Sequence, residues 1–250
     1  MEKLSVTIIC GNEENNIEEC IKSILWADEI ILVDSYSKDK TIVIASKFEV
    51  KIFQNKWESF ASQRQFALSK CTNEWVFSID ADERCSPLLA DEIKEKINFG
   101  TNNFAGYRMP RKSFFLNKWV KHGGWYPDYQ LRLFKKQATV SERLVHEKYE
   151  VEGELGIMKN DLLHYTVSSI SEYMQKVNQY STLQSIEKSK NRKINFLNML
   201  FRPTLAFIQG YIFKGGFLDG ITGLMVVNFH IITNMLTFMK IWQIQNKKKS

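Results

Sequence analysis

Within the first eighty residues, short apolar runs rich in β-branched side chains alternate with segments of helical periodicity, and no other feature narrows the choice of fold so far. Leu4 to Cys10, Glu29 to Asp34, Val50 to Phe53 and Trp75 to Ile79 read as strands. Between them Glu14 to about Trp26, Asp39 to Lys47 and Phe60 to Lys70 read as helices, the first with Ile17, Cys20, Ile21, Ile24 and Leu25 on one face. Strands that are apolar on both faces and separated by helices pair in parallel, and right-handed crossovers put the helices on both sides of the sheet. The expectation is an α/β, Rossmann-like sheet, whose ligands bind beyond the carboxyl ends of its strands. Those ends carry Gly11-Asn12-Glu13, Asp34-Ser35-Tyr36-Ser37 and Asp80-Ala81-Asp82-Glu83.

One such polar strand end would be a helix cap, but three along one edge point to a site. In the third, two carboxylates at i and i+2 leave a strand and can face one pocket. Asp82 there could hold a hard divalent cation and Asp80 a ribose hydroxyl. Taken alone, the triplet reads rather as a solvated turn before a helix starting near Ser86-Pro87. Neither GxGxxG nor GxxxxGK[ST] occurs, so the phosphates of a bound nucleotide need metal and Arg or Lys to neutralise them. That argues against dehydrogenases and P-loop enzymes.

After about residue 100 the chain turns to mixed strands and loops rich in aromatic and basic residues, and its last third is nearly all helical. The predicted division is a domain over 1–165 and a basic helical extension over 166–250. Residues 1–165 hold 23 Lys and Arg against 25 Asp and Glu, and residues 166–250 hold 11 against 3. A cationic tail crowded with Phe, Ile, Leu and Met fits an anionic membrane surface better than a duplex groove, and no RNP-type or helix-turn-helix pattern accompanies the aromatic and basic residues from Tyr107 to Tyr126. Residues 220–239 contain no charged side chain and are formally long enough to cross a bilayer. His230, Thr233, Asn234 and Thr237 share about a third of the helical circumference, which predicts a helix lying on the membrane. Burial in a core or a homodimer interface, and spanning, stay open as alternatives. The four cysteines form no CxxC pair and read as reduced thiols; the chain's opening residues read as a strand rather than a signal, so a cytoplasmic location is expected.

Val6 to Asp34, with Asn12-Glu13-Glu14 and Val33 to Asp39, followed by Ser78 to Arg84, resembles family 2 glycosyltransferases of the GT-A fold. Tyr107 to Lys112, His122 to Phe134, Val145-His146-Glu147 and Gly216 to Gly220 are similar to the bacterial branch that adds glucose to the lipopolysaccharide inner core. The resemblance implies a GT-A mixed sheet with a membrane-associating helical extension, working at the cytoplasmic face of the inner membrane. It implies an inverting enzyme that uses Mg²⁺ or Mn²⁺ to move a hexose, glucose, from a UDP-sugar to a lipid-linked saccharide. Gly11, Glu13, Asp34 and Arg64 would contact the nucleotide, Asp80 its ribose, and Asp82 the metal. Asp128 would be the catalytic base, as its carboxylate chemistry also allows, with His122, Trp125, Tyr126 and Arg132 lining the acceptor cleft. His146 is open between an additional metal or phosphate ligand and a structural hydrogen-bonding residue, while His164 and His230 read as structural. The sequence departs from the family at Gly11, often aromatic there, and at Tyr36, usually glycine. The processive signature QxxRW is absent, which favours single addition. The rivals are a nucleotidyltransferase, which would want a basic Gly-rich loop after the first strand, and a non-catalytic membrane-bound binder that keeps the fold.

Overall fold

The computed structural model describes residues 2–99, 104–141, 148–189 and 196–247. It divides into two compact units, Met1–Arg111 with Asp128–His164, and Lys112–Pro127 with Tyr165–Ser250. In the first unit, β1 (Leu4–Cys10), β2 (Glu29–Asp34), β3 (Lys51–Gln54) and β4 (Trp75–Asp80) lie in the order β3-β2-β1-β4, all parallel. Helices α1 (Ile17–Lys22), α2 (Thr41–Ala45) and α3 (Phe60–Lys70) connect them. The first two are shorter than the periodicity predicts. Turn bonds take up the flanking chain: the Glu13 carbonyl accepts from the Asn16 and Ile17 N–H groups, and Asp39 accepts from Thr41. Leu25, past the end of α1, is consequently exposed, whereas Ile17, Cys20, Ile21 and Ile24 are buried as expected.

Beyond β4 the pairing changes sense. The chain continues through β5 (Glu83–Cys85), α4 (Pro87–Phe99), β6 (Gly106–Phe115), β7 (Lys118–Trp119), β8 (Asp128–Lys135), β9 (Thr139–Val140), β10 (Tyr149–Glu150), β11 (Leu155–Ile157) and β12 (Leu162–Val167). Because β8 runs antiparallel to both β4 and β6, the described residues form a mixed ten-stranded sheet, ordered β3-β2-β1-β4-β8-β6-β12-β5 with β7 and β11 on β6. Val6 and Ile8 pack among Ile17, Ile21, Leu89 and Ile93, while Ile31 and Val33 pack among Ala67, Leu68 and Phe134. A parallel sheet buried on both faces needs these two separate apolar clusters. Ser86 caps α4, its hydroxyl accepting the Leu89 N–H at 3.3 Å, as the Ser-Pro start suggests.

The second unit contains α5 (Ile170–Ser189), α6 (Phe196–Phe207), a π-helical turn at Ile208–Phe213, a 3₁₀ turn at Gly216–Asp219 and α7 (Gly220–Lys247). Phe115 and Val120 pack with Val167, Val177, Val226 and Phe229, and Tyr173 stands edge-on to Phe115 with ring centroids 5.3 Å apart. This cluster ties residues 112–127 to the helices, although the sequence division at 165 separates them. Of the predicted polar stripe of α7, His230 is exposed and Thr233 and Asn234 are half-buried, while Thr237 is buried and its hydroxyl donates to the Thr233 carbonyl at 2.8 Å, as Thr233 does to Phe229. A threonine can satisfy itself on its own helix and so tolerate burial. The exposed residues of α7 include Ile221, Met225, Met239 and Trp242. Gly216–Asn246 is long and apolar enough to cross a membrane.

Candidate active site

Strand register brings the three polar strand ends to one edge: Cys10 pairs with Asp34 across β1 and β2, and Ile9 with Asp80 across β1 and β4. The first two ends are fastened together by their loops. Asn12 accepts the Lys38 N–H at 2.8 Å and donates its own to Ser37 Oγ at 2.8 Å, and the Glu13 N–H reaches Thr41 Oγ1 at 2.8 Å. Asp34 is buried, with Ser37 Oγ donating to Oδ1 at 2.5 Å and the Ser37 N–H to Oδ2 at 3.0 Å. Gly11 has a packing reason: a Cβ there would stand 2.3 Å from Ser35 Oγ. Tyr36 and Asn12 have φ of 61° and 58°, in the left-handed region that favours glycine, which explains the usual residue at position 36. The Tyr36 ring is exposed.

From α3 to β8 runs an alternating chain of charges. Arg64 donates to Asp80 Oδ1 at 2.7 Å, Arg132 Nη2 to Asp80 Oδ2 at 2.5 Å and to Glu83 Oε1 at 2.8 Å, and Arg111 Nη1 lies 3.6 Å from the same Glu83 oxygen. Arg111 ends the chain on Asp128, its Nε and Nη2 reaching Oδ2 at 3.0 and 2.5 Å, while Gln130 Nε2 donates to Oδ1 at 2.8 Å. Glu83 also accepts the Asp80 N–H at 3.0 Å and is fully buried. Burial alone would raise the Asp80 pKa, but Arg132 and Arg64 hold it well below the usual carboxylate range. Its two oxygens keep lone pairs beyond those the arginines use, so a ribose hydroxyl can still be accepted there.

Sequence reasoning passed over Glu83 and Arg111. Glu83 directly follows the Asp80-Ala81-Asp82 triplet, and that adjacency is its one signal. Arg111 meets Asp128 only through the β6–β8 register, in which the two are direct partners. His164, expected to be structural, lies with Nε2 3.5 Å from Asp82 Oδ2, brought there by antiparallel pairing of β12 with β5. Among the described residues no group of three or more metal-ligating side chains gathers. One carboxylate and one imidazole nevertheless suit a divalent cation that completes its shell with diphosphate oxygens and water. His146 lies outside the described residues.

The residues expected around an acceptor fall in both units. Arg132 is buried in the first, inside the charge chain. In the second, His122 Nδ1 stands 2.9 Å from Asp219 Oδ1, and Asp219 Oδ2 accepts the Lys121 and His122 N–H groups at 2.9 and 2.8 Å. Trp125 packs on the aromatic cluster of that unit, and Tyr126 is edge-on to Trp119 with centroids 5.4 Å apart.

Comparison with known proteins agrees with this architecture. The lipopolysaccharide core biosynthesis glycosyltransferase LpsC of Rhizobium meliloti is 30% identical over 252 residues, covering 96% of this chain and 92% of its own. A glycosyltransferase of Rickettsia conorii is 26% identical and covers all of this chain and 93% of its own. Among solved structures, Staphylococcus aureus TarS 1–349 in complex with UDP overlays with a TM-score of 0.51 at 15% identity, over 86% of this chain and 74% of that one, a likeness of fold. The model for Glycosyl transferase family 2 matches residues 5–147. With its GT-A-like sheet and a full-length relative in lipopolysaccharide core biosynthesis, the chain belongs to glycosyl transferase family 2.

Proposed function

We propose that this glycosyltransferase moves a hexose, glucose, from a UDP-sugar to a membrane-held saccharide such as lipopolysaccharide core, by a single inverting displacement. The observation that carries the reading is the outer end of the charge chain. Glu83 is 0% exposed and the Asp128 side chain 35%, so the chain leads outward from its buried carboxylate to its most accessible one. Arg111 and Gln130 fix its plane, and the lone pair of Oδ1 that Gln130 does not use is left for an acceptor hydroxyl. Asp128 takes that proton as the acceptor oxygen bonds to the anomeric carbon from the face opposite the diphosphate. The bond to the diphosphate oxygen breaks and UDP leaves. An α-linked donor therefore gives a β-linked product.

On the donor side, Gly11, Glu13 and Asp34 stand at the strand ends where the nucleotide would lie, Arg64 reaches Asp80 from α3, and Asp80 would be offered to the ribose. Mg²⁺ or Mn²⁺ held by Asp82, with His164 beside it, would neutralise charge on the departing diphosphate. LpsC supports the saccharide acceptor, and the UDP held by TarS supports the nucleotide. The basic, apolar helices of the second unit support work at the cytoplasmic face of a membrane. The test is UDP release from UDP-glucose in the presence of extracted lipid-linked saccharide, with mass spectrometry of the glycan. Release that does not depend on the acceptor, or no mass gain of one hexose, refutes the reading.

A further inference from the structure

We infer that residues 212–221 of the second unit form a knuckle that inserts into the headgroup region of an anionic lipid bilayer; the inference rests on the membrane-held acceptor proposed above. Phe213 is 81% and Ile221 73% exposed, and Ile212, Phe217 and Leu218 are exposed beside them. Scattered apolar residues on a surface are ordinary, but five within ten consecutive positions mark an interaction site. The backbone that presents them is held firmly. The Lys214 N–H donates to Gln209 at 2.9 Å, the Gly215 N–H to Ile212 at 3.1 Å and the Leu218 N–H to Gly215 at 2.9 Å, while the Lys214 carbonyl accepts the Gly123 N–H at 2.9 Å. A Cβ on Gly223 would fall 1.9 Å from the Gly216 carbonyl oxygen, so α7 crosses the turn at a distance only glycine allows.

Charge selects the occupant. The second unit holds 14 Lys and Arg against 3 Asp and Glu, whereas the first holds 20 against 25. From residue 188 onward the sequence contains one acidic residue, Asp219, and its carboxylate is buried against His122 and two backbone N–H groups. Lys214 stands exposed within the knuckle itself. An exposed apolar stretch that carries Lys214, in a unit this rich in Lys and Arg, matches a surface of lipid phosphates. A second copy would bring two strongly cationic units together. Spanning would strip α7 from α5, where Lys240 Nζ donates to Asn178 Oδ1 at 2.7 Å and to Ser181 Oγ at 2.8 Å.

The test is flotation of the full chain with vesicles of phosphatidylcholine alone or mixed with phosphatidylglycerol. Wild type should float with the anionic vesicles and less so as salt rises. Phe213→Ser with Leu218→Ser should lower its partition by roughly tenfold or more, since two large apolar side chains leave the bilayer. Lys214→Glu should weaken binding on anionic vesicles alone, and Met239→Ser on α7 should change it by less than about twofold. Phe213→Trp supplies a measurement free of any folding defect: brominated lipids should quench its emission beyond that of wild type. A double variant that floats like wild type, or absent quenching, overturns the knuckle and leaves the functional reading standing. Wild type that ignores every vesicle overturns both. Resistance to alkaline carbonate, or crosslinking of Phe213→Cys between copies, overturns the knuckle in favour of spanning or dimerisation.

Discussion

Replacing Glu83 by Gln tests whether the buried charge chain is one unit. Arg64, Arg132 and Arg111 alternate with Asp80, Glu83 and Asp128, so the chain is neutral with all six ionised. A glutamine can still accept the Asp80 N–H, but it turns an amide NH₂ toward guanidinium donors and leaves one positive charge uncompensated. Removing one partner of a buried pair costs about 3–5 kcal/mol. Because Arg132 keeps Asp80 and Arg111 keeps Asp128, the low end, about 3 kcal/mol, is expected here. For a unit of this size that lowers the melting temperature by roughly 6–12 °C. Adding Arg111→Met restores neutrality, and in a double-mutant cycle the pair should recover about 1–2 kcal/mol relative to the sum of the single changes. Thermal and urea unfolding measure the cycle. Additive losses, or a Glu83→Gln protein that melts within a degree or so of wild type, would refute the coupled chain.

Asp128→Asn keeps the shape and cannot take a proton, so kcat should fall by roughly 10²- to 10⁴-fold while UDP affinity, measured by calorimetry, hardly changes. Asp82→Asn should abolish the gain in UDP affinity that Mn²⁺ gives, a readout independent of turnover, and His164→Ala should reduce it; undiminished activity in EDTA contradicts both. Glu29 is buried, and although burial raises its pKa, bonds from Lys51, Ser5 and Thr72 bring it down from 4.5 to about 2. Its carboxylate therefore contributes about 3 kcal/mol at neutral pH, present above about pH 4.5 and lost as pH falls toward 2. The wild-type stability margin over Glu29→Gln should shrink across that window in urea titrations, and a margin independent of pH argues against the assignment.

What the sequence made legible follows the range of the interactions concerned. Leu4 to Cys10, Phe60 to Lys70 and Trp75 onward are elements whose period and burial are local properties, and they stand within about a residue of expectation. The strand-end loops were legible too, since Asp34, Asp80 and Asp82 occupy fixed places after parallel strands. Glu83, Arg111 and His164 were not, because their roles depend on antiparallel registers between segments far apart in the chain. Nothing near Arg111 in sequence names Asp128, seventeen residues on, as its partner. The burial of α7 was legible only in part: His230 is exposed on the predicted polar stripe, but helical-wheel reasoning assumes that hydroxyls seek water, while Thr233 and Thr237 bond to their own helix. Its apolar residues were then free to face outward as well as inward. The burial pattern of α7 is thus set by contact with α5 rather than by amphipathic period, and the exposed apolar surface gathers where the π and 3₁₀ turns interrupt the helices.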